Sequence, residues 1–379
     1  MKKLGVAGLF VCFIVAFASA EEKQKGTAPE PDVWKQLNVK VGALIKLTAI
    51  FEDPHGQSDN NHYFKVDHVF INIKGSFAKD FKFFIQPHYS HALPGGAAVF
   101  HKSPKYEQYK YEKVSGAVDG ANMFVDYVRF PVKIRFGKFM YPGSLGAFTP
   151  ASKMDFATRP MMSAETALPQ CRDIGLMLFG DALKGVVANR DLRVRVYGSV
   201  TNGKRPREQA LGEGMMYTLR AELRFGKLFS FGVCYLKNHQ DHTHWMGCIP
   251  TKMGTFYDLS YSSVDATVSL GRIRVGGEFL QGWCVEEDDS DHDFSGFYAK
   301  MFFRFCKYAE IGARYEVWDR DLDDDYKTGV LTVGLNVLLN PKNPNVAKIQ
   351  VNWRNVDEDN PRLVRKEGNT LQVLLQICF

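Results

Sequence analysis

The stretch Tyr217-Thr218-Leu219-Arg220-Ala221-Glu222-Leu223-Arg224-Phe225-Gly226 decides how the chain is read. Thr218, Arg220, Glu222 and Arg224 fall on one side of a strict alternation, and Leu219, Ala221, Leu223 and Phe225 on the other. Side chains of a β-strand point alternately to opposite faces, so this is a strand with one apolar and one charged surface. A half-buried strand of an ordinary sheet turns its apolar side inward and scatters mild polar residues outside. A row of full charges asks instead which side is the interior.

The pattern recurs along the chain. Sixteen alternating segments bounded by turn residues occupy 39–51, 63–77, 80–91, 121–131, 132–138, 172–180, 191–200, 214–226, 228–237, 255–270, 273–282, 295–306, 308–318, 329–339, 346–354 and 368–379. Their connections alternate in size. Short ones such as Phe77 to Asp80, Pro131 to Val132 and Gly226 to Leu228 exchange with long polar ones at 92–120, 139–171 and 238–254. An up-and-down barrel in an outer membrane has this asymmetry, with tight periplasmic turns and long external loops. The last segment reads Leu371, Val373, Leu375, Ile377, Phe379, and its terminal aromatic resembles an outer-membrane sorting signal.

A soluble β-sandwich would pack the apolar faces against a second sheet. Two features oppose it: few segments are flanked by loops able to cover a second layer, and the apolar faces end in aromatics. Tyr63, Phe77, Phe81, Tyr89, Phe130, Phe225, Phe229, Tyr235, Phe305, Trp318 and Trp353 lie near segment ends, where interfacial girdles belong. The expected fold is an all-β transmembrane antiparallel up-and-down β-barrel of about 16 strands.

Targeting agrees with export. Met1-Lys2-Lys3, the apolar run Leu4 to Phe17 and Ala18-Ser19-Ala20 read as a cleaved signal peptide over 1–20, followed by a short periplasmic leader over 21–38 and a single barrel domain over 39–379. The apolar run is shorter than the roughly 20 residues of a spanning helix. Removing residues 1–20 leaves 48 − 2 = 46 basic against 42 acidic residues, a formal +4. Cys171, Cys234, Cys248, Cys284, Cys306 and Cys378 show no CxxC pair. Unpaired buried thiols are expected, with a Cys248–Cys284 bridge as the alternative.

If lipid takes the apolar face, the other face lines a water-filled lumen. That face carries Lys40, Lys46, Lys74, Lys82, Lys133, Arg135, Arg193, Arg195, Arg220, Arg224, Arg272, Arg274, Lys300, Arg304, Arg314, Lys348 and Arg354, against the acids Glu222, Asp265, Glu278, Glu310 and Glu316. The remaining acids concentrate in proposed external loops: Glu286 to Asp291, Asp319 to Asp325 and Asp357 to Asp359. A basic lumen with low-dielectric walls concentrates anions and repels cations. The alternative is a structural ladder in which acids and bases pair across strands, as Glu222 could with Arg220 or Arg224. The excess of bases argues that pairing cannot absorb them all.

Val132-Lys133-Ile134-Arg135-Phe136-Gly137-Lys138-Phe139, Asp155-Phe156-Ala157-Thr158-Arg159-Pro160 and Arg172-Asp173-Ile174-Gly175-Leu176-Met177-Leu178-Phe179-Gly180 together resemble the phosphate-selective porin O and P family. Val333 to Asn336, Asn352-Trp353 and Leu371 to Phe379 look similar too. The resemblance implies a homotrimer of sixteen-stranded barrels, each with a long third external loop, here 139–171, folded into the lumen as a constriction. It adds Lys153, Arg159 and Arg172 to the candidate anion-binding residues Lys133, Arg135, Arg193, Arg195, Arg220, Arg224, Arg272, Arg274, Arg304 and Arg314. Arg159 and Arg172 read equally as tethers of such a loop. The central lysine of the family's phosphate channels maps to no single position.

The expected function is passive conduction of small anions, phosphate among them, and the alternative is a general diffusion porin without phosphate preference. Expected partners are outer-membrane lipid and lipopolysaccharide and small inorganic anions, with no nucleic acid. No cofactor is implied. His239, Asp241, His242, His244 and Cys248 are closely spaced metal-ligand types, but they sit in a polar loop where such residues accumulate. Asp319, Asp321 and Asp323 lack the glycine and terminal glutamate of a calcium loop. No Gly-x-Ser-x-Gly or His-Glu-x-x-His occurs, so no enzyme is expected. A purely structural barrel is the third reading.

Overall fold

A computed structural model describes residues 37–54, 61–91, 118–166, 171–203, 215–241, 256–286, 291–319, 322, 327–358 and 368–379. The proposed signal peptide, Cys248 and most of the histidine-rich segment lie outside the described residues, as do Asp323 and Asp359. Sixteen strands form one closed antiparallel barrel. They are β1 (Asn38–Pro54), β2 (Asn61–Phe77), β3 (Phe81–His91), β4 (Val118–Tyr127), β5 (Lys133–Met140), β6 (Arg172–Val187), β7 (Arg190–Thr201), β8 (Met216–Phe225), β9 (Phe229–Asp241), β10 (Phe256–Leu270), β11 (Ile273–Glu286), β12 (Asp291–Cys306), β13 (Ala309–Asp319), β14 (Lys327–Leu338), β15 (Ala347–Glu358) and β16 (Gly368–Cys378). Each strand pairs with its sequence neighbours, and β16 closes on β1 from Leu44↔Cys378 to Pro54↔Gly368. Reciprocal bonds between Ala43 and Phe379, 2.7 and 3.0 Å, extend the seam to the last residue. Every strand is therefore paired on both sides, which is the condition for leaving no backbone polar group facing lipid.

The alternation sets the two surfaces as the sequence predicts. In β8 Leu219 is 61 % exposed and Arg220 only 3 %, with Thr218 and Glu222 buried beside it. Exposed residues on the remaining strands include Phe64, Val125, Phe136, Leu178, Val196, Val264, Val275, Met301, Ile311 and Leu335, an apolar outer belt. Gly137 perturbs the rhythm of β5. Its φ of 124° suits glycine, a Cβ there would strike the Met123 carbonyl, and beyond it Lys138 and Phe139 are both buried, which strict alternation would not give.

Several expectations need correction. β6 runs on to Val187 rather than ending at 180, with a register shift between Asp181 and Leu183. Arg272 stands in the turn between β10 and β11 and not on a strand. Glu286, Asp291, Asp319, Asp357 and Glu358, expected in loops, lie within strand ends. Trp318 is no girdle residue: it is fully buried on the face of Arg314 and Glu316, 5.6 Å from Phe294. Gly296 makes room for it, since a Cβ there would lie 2.5 Å from the indole.

Candidate functional site

The connection between β5 and β6 contains α1 (Leu145–Phe148), a 3-10 helix (Ala151–Lys153) and α2 (Met161–Glu165). It lies against the inner faces of many strands, held largely by its main chain. Glu278 of β11 accepts from the Leu145 and Gly146 N–H groups at 2.6 and 3.1 Å, satisfying amides that the first turn of α1 leaves open. Glu316 accepts from Met161 N–H at 2.6 Å and the Asn352 side chain from Ala157 N–H at 2.6 Å. In the other direction, Gln350 donates to the Asp155 carbonyl (2.7 Å), Lys348 to Met154 (2.6 Å), Gln376 to Ser152 (3.0 Å) and Arg314 to Thr158 (3.0 Å).

An apolar cluster supports the same segment from the inner wall. Met161 and Met162 pack with Met216, Leu236, Leu259, Tyr261, Leu280, Phe294, Tyr298 and Trp318. The rule that apolar means lipid-facing fails here, because a loop folded against the wall creates a second dry interface.

Charges on the wall are extensively paired. Arg220 reaches Glu222 at 3.0 Å, Asp265 at 2.7 Å and the Gly143 carbonyl at 3.2 Å. The Asp265 contact spans β9, where Gly232 supplies no side chain; a Cβ would lie 2.5 Å from both the Arg220 guanidinium and the Asp265 carboxylate. Arg135 binds Asp126 through two bonds of 2.7 and 2.9 Å. Arg193 and Arg195 share Asp181 at 3.8 and 2.6 Å. Arg224 pairs with Glu222 at 2.9 Å, Arg304 with Glu310 at 3.2 Å and Arg314 with Glu316 at 2.8 Å. Arg274 and Lys300 converge on Asp155 at 2.8 and 2.7 Å. Burial opposes ionisation of Asp155, but Lys300 and Arg274 outweigh it and hold the carboxyl below its usual range.

The other candidates divide. Lys133 lies over the Phe179 ring and makes no ion pair among the described residues, and Lys153 is exposed on the 3-10 helix. Arg159 donates to the Gly146 carbonyl, a tether within the loop. Arg172 is buried, 5.8 Å from the Phe70 ring. Sequence reasoning missed Asp126, Asp155 and Asp181 as partners. Asp126 shares the alternation of Phe124 and was legible; Asp181 lay past the expected end of its strand. Cys171, Cys234 and Cys284 are buried thiols rather than disulfides, as expected, whereas the free thiols of Cys306 and Cys378 are exposed and partly buried, against that expectation. Among the described residues no group of three or more His, Cys, Asp or Glu side chains could hold a metal ion.

No protein-family model and no curated protein matches the chain. Solved structures do. An anion-selective porin from Comamonas acidovorans aligns at 11 % identity over 90 % of this chain and 100 % of its own, with a TM-score of 0.67. In vitro folded OmpT of Vibrio cholerae, in its trimer form, aligns at 10 % identity over 90 % and 99 %, TM-score 0.60. Salmonella typhi OmpF in complex with daunomycin aligns at 12 % over 91 % and 98 %, TM-score 0.59. The closed barrel and its apolar belt make the chain a transmembrane β-barrel of the bacterial outer-membrane type. Within that class its sixteen-stranded architecture is that of the porins.

Proposed function

We propose that the protein is a passive outer-membrane channel for small anions, phosphate among them, with the β5–β6 connection narrowing the lumen. The observation that carries this reading is the graded exposure of the wall's cations. Arg220 and Arg314 are sealed against carboxylates under the loop, whereas Arg224, Arg304, Arg193 and Arg195 have side chains 57, 37, 35 and 30 % exposed. The three acids that meet this group, Glu222, Glu310 and Asp181, are each shared by two arginines. The exposed charge is therefore net positive, and a solute crossing this stretch meets several moderate sites in series, which favours passage over trapping.

The pairing also weighs against a dedicated phosphate site on the paired arginines. A guanidinium matches phosphate through its planar fork, and the forks of Arg135, Arg220 and Arg314 are already taken by protein acceptors. A homotrimer in lipid and lipopolysaccharide belongs to the same reading. Single-channel recording of refolded protein under a potassium chloride gradient tests it: an anion-selective reversal potential is expected, and cation selectivity would refute it. Reduction of chloride current by millimolar phosphate tests the phosphate component separately.

A further inference from the structure

The inner face of β3 to β7 carries a surface unlike the rest of the wall. Phe84 and Phe124 meet edge to face with centroids 5.5 Å apart. The Arg135 guanidinium lies 3.7 Å from the Phe124 centroid and 5.1 Å from that of Phe179. Phe179 and Tyr197 are nearly parallel, 11° apart at 6.2 Å, and Tyr197 meets Phe148 of the loop at 5.4 Å. All five rings are half-buried rather than sealed. Their strand neighbours Met123, Val125, Leu178 and Val196 are exposed on the outer surface, which fixes the rings on the inner one.

Cations accompany the rings without being fully neutralised. Arg135 spends its hydrogen-bonding edge on Asp126 and presents flat faces to Phe124 and Phe179. Lys133 sits 5.8 Å from the Phe179 centroid and has no ion pair among the described residues. Beside Tyr197, Arg193 and Arg195 share the single carboxylate of Asp181.

Ring faces bear the negative lobe of the aromatic quadrupole, so they attract cations and other π-systems and offer a bare inorganic anion nothing. A solute that gains from rings and ammonium together must be both planar-aromatic and anionic. We infer that this arc binds aromatic carboxylates during passage, the solute's ring lying against Phe179 and Tyr197 and its carboxylate against Lys133 or the Arg193–Arg195 pair. The inference rests on the channel reading and gives it a solute class: benzoate-like organic anions ahead of inorganic ones.

Full-length protein in planar bilayers, carrying chloride current, is titrated with benzoate, cyclohexanecarboxylate, acetate or phosphate. Benzoate is expected to halve the current at a concentration roughly three- to tenfold below that of acetate, the worth of about one favourable ring contact. Phe179→Leu combined with Tyr197→Leu is expected to abolish that difference while leaving acetate and phosphate block unchanged. Saturation-transfer NMR with benzoate and detergent-solubilised protein reports the ring contact independently of conduction, so a channel that proves closed or cation-selective fails the parent reading alone. Equal block by benzoate and acetate, equal block by cyclohexanecarboxylate and benzoate, or no saturation transfer to benzoate's ring protons overturns the inference.

Discussion

Replacing Gly232 by alanine adds one methyl group at the point where the buried Arg220–Asp265 pair crosses β9. The added Cβ lies 2.5 Å from both the Arg220 Nη2 and the Asp265 Oδ2 atoms, well inside contact distance, so the two side-chain ends must move and the 2.7 Å pair is displaced. Arg220 keeps Glu222 and the Gly143 carbonyl, but Asp265 loses its one ion-pair partner among the described residues while its side chain is 4 % exposed. Leaving one buried charge without its partner costs about 2–4 kcal/mol, somewhat below the value for destroying a whole buried pair because the arginine stays satisfied. That is roughly a thirty- to several-hundredfold change in the folding equilibrium. Gly185→Ala is the control, since a Cβ there meets nothing within 4 Å. Reversible urea unfolding of both variants in detergent micelles measures the difference. Equal stability of the two would refute the claim that Gly232 exists to pass the ion pair across its strand.

Further expectations follow from the same contacts. Glu278→Gln weakens the charge-assisted bonds to Leu145 and Gly146, and single-channel traces should show new flicker without loss of barrel assembly. Asp155→Asn releases Lys300 and leaves Arg274 only its 3.5 Å contact with Glu310, so the reversal potential in a salt gradient should move toward stronger anion selectivity. Because the Asp155 carboxyl is held below its ordinary 3.8, the pair is intact at and above that pH and is lost only on further acidification; wild-type selectivity should therefore be flat above about pH 4 for this group. Arg224→Glu with Arg304→Glu should shift the reversal potential toward cations, whereas Arg272→Glu, in a turn, should shift it little. Cys306 is exposed and Cys171 buried, and burial pushes the Cys171 thiol up despite Arg159 and Arg172, so a maleimide should label Cys306 in folded protein and Cys171 only after unfolding.

The strands were legible because a barrel writes its two environments into alternate residues. Leu219 beside Arg220 declares both faces locally, and all sixteen segments reappear as strands, although β4, β6, β9, β11, β12 and β15 each have one end displaced by four or more residues. What pairs with what was not legible. Arg220 finds Asp265 over an intervening strand, and Arg274 finds Asp155 in a loop more than a hundred residues earlier; no local period encodes such contacts. The expected excess of free lumen cations shrank for that reason. Apolar residues on the inner face, Leu236, Leu259, Leu280 and Trp318, broke the two-environment rule because the folded-in segment makes a third. Their phase did betray them: Trp318 keeps step with Arg314 and Glu316.

The manner in which the wall grips the β5–β6 connection has an evolutionary consequence. Glu278, Glu316, Asn352, Gln350, Lys348 and Gln376 address amides and carbonyls that every residue type possesses, proline's missing N–H apart. At Ser152 and Ala157 the wall holds the backbone, so the side chain can change while the segment stays docked, an exchangeable cassette in a fixed socket. New solute preferences could then arise by rewriting a few letters of this cassette, with the barrel's folding code left untouched.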